Sequence, residues 1–587
     1  MRRPQRLEDR HAPTCTSVRI VSTSRRRPRL QGLAPGLAVL RGYQRGWLRP
    51  DLVAGATVGA MLIPQSMAYA ELAGMPPEYG FYAVLAPLVV YALVGTSRHL
   101  GVGPEPGTAI LAATGVGAMA AGDPARYVAL MAALALVVGA IAILGAAARL
   151  GFIASVLSKP VLVGYITGVG LTLLSSQIAA FTGVAIAADR FFPRVAELVR
   201  ELGDVDPATV VLGTATLALL LTLRRWVPTW PGALVAVALA TALVWFVPGA
   251  GPMVPVVGAI PEGLPTPGLP DVGWADLVGL VPVAVGIVLV GFTDNVLTGR
   301  SVADRLGYRV EPNQELLALG LTNLGSGLSQ GFPVSSSASR TAVPASLGSR
   351  TQLVSLVAAG LVIATLVLLS PVLGEIPRTA LAAVIVSAAI AILDVPGYRA
   401  LWRASRQEAL LALVATLGVI VFDVLVGVVV AVGLSIVVAL GRIARPHDAI
   451  LGDAPDLDGW VEVDAHPEAT PEPGLLVYRF DAPLFFLNAD RFAARVVDVL
   501  EANPGTEEWL VLDFEGIGAL DATALDMLTT LLERLGGLGI EVVAVARAND
   551  DVVRRLRRVD LLEPQGPVRD FATINAAVRA FRQRQRE

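Results

Sequence analysis

The feature that most constrains this chain is a series of apolar runs of membrane-spanning length, which recur from Leu52 to Leu440. Hydrophobic residues make up 54% of the 587 residues and charged residues only 16%, whereas soluble proteins carry about 25% charged residues. Inside a bilayer the backbone polar groups must bond to one another, so runs of this length are expected to be helices. The sequence therefore predicts an α-helical domain that crosses a membrane many times.

The apolar runs number fourteen and form two sets of seven. A stretch rich in proline and glycine, residues 248–270, separates the sets and cannot form a continuous helix. The predicted transmembrane domain is thus 50–443, with one half at 50–247, a linker at 248–274 and a second half at 275–443. The first seven segments are 52–70, 81–97, 107–121, 126–148, 160–182, 208–223 and 231–247. The second seven are 276–299, 314–330, 334–348, 352–373, 377–395, 409–424 and 425–441.

The two halves resemble each other in sequence. The first opens with Asp51-Leu-Val-Ala-Gly and the second with Asp276-Leu-Val-Gly, and Pro160 and Pro377 stand at the starts of the fifth and twelfth segments. Because each half has an odd number of segments, the second half would run through the membrane in the opposite orientation. The pattern predicts an inverted repeat, in which short spans broken by glycine and proline mark the binding site.

Two such short spans lie at matching positions, the third segment and the tenth. The third begins with Gly101-Val-Gly-Pro-Glu105-Pro-Gly107-Thr108, and the tenth with Gly331-Phe-Pro-Val-Ser335-Ser336-Ser337-Ala-Ser339-Arg340. Two half-helices would point their N-termini at each other near the middle of the membrane, with free backbone N–H groups and positive dipole ends. Such helix starts bind anions, although small residues in membrane helices also serve as packing surfaces.

The two ends of the chain are polar and oppositely charged. Residues 1–49 hold twelve arginines against two acidic residues, a charge of +10, and residues 447–587 hold 14 arginines against 26 acidic residues, a charge of −12. The positive-inside rule keeps an arginine-rich arm in the cytoplasm, and fourteen crossings return the chain there. We expect a multi-pass protein of the plasma (inner) membrane with a disordered cytoplasmic arm and a cytoplasmic tail. A nucleic-acid arm and a transit peptide are the alternatives for the arm.

The composition gives little support to metal or cofactor chemistry. Cys15 is the one cysteine, and the four histidines stand far apart at positions 11, 99, 447 and 466. A disulfide or a zinc site needs such residues in numbers and close together. We expect no metal, no cofactor and no nucleic-acid partner, and no enzymatic activity either, because no nucleophile–base pair is visible.

The tail alternates short apolar strands with helical stretches. Strands are predicted at 475–480, 509–514 and 540–546, and helices near 490–502, 522–536, 550–558 and 572–583. The pattern predicts a small α/β domain.

Four stretches of the membrane region resemble the SulP family of anion transporters, which includes bacterial sulfate permeases. They are IPQSMAYAELAGMPPEYGFYA (63–83), GTSRHLGVGP (95–104), GFTDNVLTGRSVADRLGYRVEPNQELLALGLTN (291–323) and GFPVSSSASRTAV (331–343). The tail from Leu475, LLVYRFDAPLFFLNADRF, is similar to the STAS domain of that family. The resemblance implies fourteen segments in two inverted repeats, a core that moves against a gate, and often a homodimer.

The resemblance also places the stretch around Gln65 and Tyr69 beside the substrate, where two neutral donors four residues apart share one helix face. Arg340 would give an oxyanion a fixed positive charge and forked donors; alternatively, it braces its helix against backbone carbonyls. The predicted substrate-binding residues are Gln65, Tyr69, Gly107, Thr108, Ser335, Ser336, Ser337, Ser339 and Arg340.

Carboxylates inside the membrane segments are candidates for coupling transport to a cation, because a charge there is unfavourable enough to imply a function. Asp294 and Thr298 lie four residues apart and are similar to the sodium-coupled bicarbonate branch of the family; an internal salt bridge is the alternative for Asp294. Glu105 would repel an anion at the adjacent helix start unless it were protonated. Glu71 is a further candidate proton carrier, with exposure at the membrane interface as the alternative.

These features predict a secondary transporter of a small inorganic oxyanion, with sulfate and proton symport first and sodium-coupled bicarbonate symport as the alternative. A channel-like conductor would need no coupling carboxylate, and a membrane-anchored signalling scaffold would need no paired half-helices.

In STAS domains of another lineage a phosphorylated hydroxyl occupies the place of Thr523. This residue is therefore a candidate regulatory site, with helix capping as the alternative.

Overall fold

The structure is a computed structural model that describes residues 34–155, 158–188, 190–246, 254–261, 263–422, 424–454, 457, 459–502, 507–563 and 567–587. The chain divides into two compact units, Met1–Val432 and Gly433–Glu587. Most of the predicted arm, residues 1–33, lies outside the described residues.

Helices form nearly all of the described part of the first unit, and each predicted apolar segment contains one; the last of these helices continues into the second unit. Those of the first half are α1 (Pro35–Arg41), α2 (Leu48–Leu72), α3 (Glu78–Val94), α4 (Pro106–Ala120), α5 (Pro124–Ala147), α6 (Lys159–Ser176), α7 (Ile178–Thr182), α8 (Phe191–Arg200), α9 (Pro207–Trp226) and α10 (Gly232–Phe246). Those of the second half are α11 (Trp274–Leu306), α12 (Pro312–Leu328), α13 (Ala338–Ser346), α14 (Leu353–Leu368), α15 (Ser370–Gly374), α16 (Arg378–Ile392), α17 (Val395–Ala404), α18 (Arg406–Phe422) and α19 (Val424–Ala444). Two short strands, β1 (Gly101–Gly103) and β2 (Ser335–Ser337), precede α4 and α13.

The outer faces of these helices are apolar. Leu144, Val211 and Phe246 are 69%, 68% and 81% exposed, and soluble proteins rarely present many such side chains together. Within the described residues, five helical stretches are long and apolar enough to cross a membrane. They are Arg45–Leu72, Pro124–Ala147, Pro207–Trp226, Trp274–Leu306 and Arg378–Ala404. The apolar surface is thus suited to lipid.

Helix pairs that join the first half to the second pack through glycine. A Cβ atom at Gly139 of α5 would lie 2.8 Å from the Gly320 carbonyl oxygen of α12, and a Cβ at Gly320 would lie 2.9 Å from the Gly139 oxygen. Gly55 of α2 meets α14 and Gly164 of α6 meets α18 in the same close way. Small residues let membrane helices approach closely, so the two halves interleave along these pairs.

The second unit contains a six-stranded sheet of order β4-β3-β5-β6-β7-β8, in which β5 to β8 are parallel. Its strands are β3 (Asp448–Asp453), β4 (Trp460–Glu462), β5 (Leu475–Phe480), β6 (Trp509–Asp513), β7 (Val542–Ala546) and β8 (Val568–Phe571). Its helices are α20 (Ala489–Ala502), α21 (Ala522–Gly537), α22 (Asp550–Arg558) and α23 (Ile574–Arg584). The α/β class agrees with the prediction. Strands β3, β4 and β8 were not predicted, because each mixes charged with apolar residues and because β4 and β8 are also short.

The parallel strands bury a carboxylate where β6 ends. The side chain of Asp513 is fully buried and accepts a hydrogen bond from Arg547 Nε at 2.9 Å, while Arg479 Nε lies 3.2 Å from it. Arg547 has a φ of 60°, a left-handed conformation that a residue with a side chain adopts when its surroundings hold it there. The ion pair therefore fixes the turn after β7.

We expect residues 447–587 to fold alone as a soluble α/β domain, because apolar side chains cover both faces of the sheet. In this fragment Asp513→Asn should lower the free energy of unfolding by about 2 kcal/mol, since it weakens the charge-assisted hydrogen bonds that the partly exposed Arg479 and Arg547 make to a buried carboxylate. Arg534→Gln, which removes an exposed ion pair with Glu501, should barely move the urea midpoint. An insoluble fragment, or equal effects of the two substitutions, would contradict this account.

Candidate functional site

The leads into the two short helices meet as an antiparallel strand pair. Gly101 of β1 lies opposite Ser337 of β2, and Gly103 lies opposite Ser335. β1 leads to the start of α4 at Pro106, and β2 runs directly into α13. Because the strands run in opposite directions, α4 and α13 start at one crossing and leave it in opposite directions. We call this strand pair, residues 101–103 and 335–337, the crossing.

Buried amides hold the crossing in place. Asn323 of α12 accepts a hydrogen bond from Val334 N at 2.9 Å and donates one to Val334 O at 3.0 Å. Asn295 of α11 accepts from Ser336 N at 2.8 Å. Gln352 donates to two carbonyl oxygens of the loop before β1, both at 3.0 Å. A strand pair this short is not stable by itself, so these amides are what keeps it formed.

A buried carboxylate fixes the same loop. Glu315 of α12 accepts hydrogen bonds from Tyr91 Oη at 2.8 Å, from Thr96 N at 2.8 Å and from Ser97 N at 3.2 Å. The Thr96 hydroxyl donates to it as well. Sequence reasoning did not identify Glu315, because an acidic residue in the first turn of a helix is common. Its bonds make it a structural residue.

A cavity of about 300 Å³ lies where the two helix starts face α6, α11 and α16. Its polar lining residues are Tyr69, Glu105, Thr108, Tyr165, Arg224, Asp294, Ser335, Ser336, Ser337 and Ser339. Leu162, Ile166 and Val169 of α6 and Ile392 of α16 form a largely apolar wall, to which α6 also adds Tyr165. The structure thus brings most of the predicted site residues together, while Gln65, Gly107, Thr298, Arg340 and Glu71 lie outside this lining.

The two helix starts at the cavity differ in whether a side chain already accepts hydrogen bonds from their backbone N–H groups. Glu105 is the N-cap of α4, and its Oε2 accepts a hydrogen bond from Thr108 N at 3.0 Å. Pro106 has no N–H to offer. In α13 the side chain of the N-cap residue, Ser337, makes no capping bond, and Ser339 is exposed. The prediction was that both helix starts present free N–H groups. At α4 the Glu105 carboxylate already accepts one of these N–H groups and occupies the place where an anion would bind.

Hydroxyl groups connect the crossing to the helices around it. The Ser336 hydroxyl donates to Asp294 Oδ2 at 2.8 Å, and the Thr298 hydroxyl is 3.4 Å from Asp294 Oδ1. The Thr108 and Ser335 hydroxyls are 2.8 Å apart. Asp294 and Thr298 share one face of α11, as their spacing of four residues requires, and both oxygens of Asp294 have donors.

Arg340 is buried behind the crossing. It is 1% exposed, and it donates from Nη2 to Pro104 O at 2.8 Å and from Nη1 to Gln65 Oε1 at 3.4 Å. A Cβ atom at Gly101 would lie 2.8 Å from Arg340 Cβ, so only glycine fits there. Of the two interpretations of Arg340, this geometry favours the brace, which ties α13 to the lead into α4 and to α2.

Two other predicted residues lie away from the cavity. Glu71 is at the end of α2, with Oε1 4.0 Å from Arg378 Nε. Thr523 is in the first turn of α21 and is exposed. The capping role there belongs to Asp521, which accepts a hydrogen bond from Ala524 N at 2.8 Å.

Arg224 is a cavity residue that sequence reasoning missed. It lies near the end of α9, is exposed, and is the one cationic side chain in the described lining of the cavity. The sequence Arg224-Arg225-Trp226 is typical of a helix end at the membrane interface. Only the tertiary fold brings this helix end to the cavity.

Broken helices that meet at a polar cavity inside an apolar helical body define a class, the multi-pass membrane transporters. The chain matches the Sulfate permease family over residues 48–415 and the STAS domain over residues 466–576. It is 47% identical over 553 residues to a Mycobacterium tuberculosis (strain CDC 1551 / Oshkosh) protein named as a probable sulfate transporter, covering 94% of this chain and 99% of that one. The chain therefore belongs to the sulfate permease family, a family of transporters and not of enzymes, as the resemblance predicted.

Two solved structures have the same fold. Murine Solute Carrier 26 family member A9, an anion transporter in the inward-facing state, gives a TM-score of 0.85 at 24% identity, covering 99% of this chain and 100% of that one. The transmembrane domain of the cyanobacterium bicarbonate transporter BicA gives a TM-score of 0.58 at 23% identity, covering 67% of this chain and 99% of that one. At these identities the similarity shows the fold alone.

We expect Arg340→Ala to abolish uptake of labelled sulfate into proteoliposomes while the protein stays folded, because the variant frees the Pro104 carbonyl and loosens the crossing. Arg340→Lys should keep part of the activity, since the lysine ammonium group keeps the positive charge but cannot donate two hydrogen bonds in the fixed geometry of a guanidinium group. Arg225→Ala, which removes an exposed arginine outside the cavity lining, should transport normally. Monodisperse Arg340→Ala with full turnover and normal apparent affinity would contradict both interpretations of this residue.

Proposed function

We propose that this protein is a secondary transporter that carries sulfate across the plasma membrane together with protons. The observation that carries the proposal is the uncapped start of α13, which lies in the cavity among the hydroxyls of Ser335, Ser337 and Ser339, while the Ser336 hydroxyl donates to Asp294. Backbone N–H groups and hydroxyls are neutral donors that hold an oxyanion without trapping it. The name of the mycobacterial relative supports the choice of sulfate.

The proposal includes fourteen membrane segments in two inverted repeats, with both termini in the cytoplasm. The antiparallel crossing of β1 and β2 supports the inverted repeat, and the +10 charge of residues 1–49 supports the cytoplasmic start. In this topology α6 begins and α9 ends on the cytoplasmic side. The residues that these helices contribute to the cavity, Leu162 to Val169 and Arg224, then lie between the crossing and the cytoplasm.

The charges of the cavity favour protons as the coupling ion. Glu105 and Asp294 bring two negative charges and Arg224 one positive charge, so a dianion would face a lining that is negative overall. Asp294 already accepts from Ser336 and Thr298. Glu105 caps α4 by accepting a hydrogen bond from Thr108 N, and it lies beside the anion position. We therefore assign the coupling proton to Glu105.

In the proposed cycle, transport results from movement of one wall of the cavity past the other. When the cavity faces outward, a protonated Glu105 no longer repels the dianion, which binds at the start of α13. The polar wall, made of α4, β2, α11 and α13, moves past the apolar wall of α6 and α16, where few hydrogen bonds need to break. On the cytoplasmic side Glu105 loses its proton, and the restored negative charge expels the anion past Arg224.

Sodium-coupled bicarbonate transport is the second candidate function. The observation in its favour is the pair Asp294 and Thr298, whose oxygens lie 3.4 Å apart and could share a hard cation. In that case Asp294 stays ionised throughout the cycle and Glu105 serves only as a helix cap.

Uptake into proteoliposomes separates the two functions. With labelled sulfate we expect faster uptake at acidic external pH and no response to sodium, because protonation of Glu105 admits the dianion. Glu105→Gln should make uptake independent of pH. Glu71→Gln, which removes a carboxylate outside the cavity, should leave the pH response in place. Sodium-dependent uptake of labelled bicarbonate that disappears in Thr298→Ala would refute the sulfate and proton assignment.

A further inference from the structure

A second cavity, of about 640 Å³, follows the first along the same two helices. The first cavity contacts α4 at Glu105 to Thr108 and α6 at Leu162 to Val169. The second contacts α4 from Ile110 onward and α6 at Thr172 and Ser176. The two cavities therefore lie at opposite ends of one boundary between α4 and α6.

The second cavity has the opposite charge to the first. Arg190 and Arg194 line it, and its described lining contains no aspartate or glutamate. The hydroxyls of Thr114, Thr172 and Ser176 also face it, but they donate to carbonyl oxygens of their own helices at 3.1, 3.0 and 2.8 Å. Within the described lining, the positive charge of the two arginines is thus what this cavity offers to an anion.

The arginines belong to a segment that is fixed in position. Arg194 of α8 donates to Ala188 O at 3.1 Å and to Ser175 Oγ at 3.3 Å. Glu197, on the same helix, accepts from Ala187 N at 3.0 Å and from Ala188 N at 2.9 Å. These bonds tie α8 to the loop before it and to the end of α6, so the positive charge stays over the cavity.

We propose that this second cavity is a vestibule that binds small inorganic oxyanions on the side of the membrane opposite to the cytoplasm. It concentrates the anion at the outer end of the boundary between α4 and α6, from which the anion reaches the start of α13 when that boundary opens. A positively charged recess raises the local anion concentration and the rate of capture. The assignment to the outer side rests on the topology in the proposed function.

The test uses the charge of a thiol reagent as the probe. Full-length protein in which Cys15→Ser removes the one native cysteine receives Thr114→Cys in the cavity. Intact cells are treated with two methanethiosulfonates of similar size, one carrying a sulfonate and one a trimethylammonium group. We expect the sulfonate reagent to react faster, and external sulfate to slow the reaction.

Arg190→Gln should lower the ratio of the two reaction rates by about threefold or more, because it removes positive charge from the cavity. Arg200→Gln is the matched control, since Arg200 is exposed at the end of the helix that Arg190 precedes and lies outside the cavity lining. An unchanged ratio in Arg190→Gln would overturn the proposal, as would reaction of Thr114→Cys only with reagent supplied from the cytoplasmic side. Failure of the proposed function is a separate result, namely native protein that takes up no sulfate into proteoliposomes.

Discussion

The structure depends on the pairing of three residues of β1 with three residues of β2. Backbone polar groups within a membrane need partners, and non-helical backbone is tolerated there only where protein or a cavity surrounds it. The antiparallel register from Gly101 and Ser337 to Gly103 and Ser335 satisfies part of this need. The side chains of Asn323, Asn295 and Thr341 supply further partners. With the strands fixed, the start of α13 is held open in the cavity.

The charge of the lining residues differs between the two ends of the boundary between α4 and α6. In the proposed transport cycle the anion meets two carboxylates at the crossing, one of which, Glu105, already bonds the start of α4. At the other end of the same helices it meets Arg190 and Arg194. In this proposal an anion is attracted at one end of the boundary, and at the other end its binding depends on the charge state of a carboxylate. Protons can drive such a system because the same carboxylate that admits the anion can later expel it.

The sequence was sufficient for what depends on local pattern. The apolar runs, the broken spans before α4 and α13, and the shared face of Asp294 and Thr298 all follow from spacing along the chain. The partners of Arg340 do not, because the carbonyl that it binds belongs to Pro104, 236 residues away. Arg224 was missed for the same reason. The cap formed by Glu105 was within reach of sequence reasoning, since an acidic residue before proline at a helix start is a familiar pattern.

The central claim is that the anion binds at the start of α13, in front of the crossing. Electron cryo-microscopy maps of the protein with selenate, a heavier analogue of sulfate, and without it test this claim most directly. The account predicts one additional tetrahedral density beside the hydroxyls of Ser335 and Ser339 and the first N–H groups of α13, absent from the map without selenate. Density behind the crossing at Arg340, with the start of α13 empty in protein that transports selenate, would contradict the account.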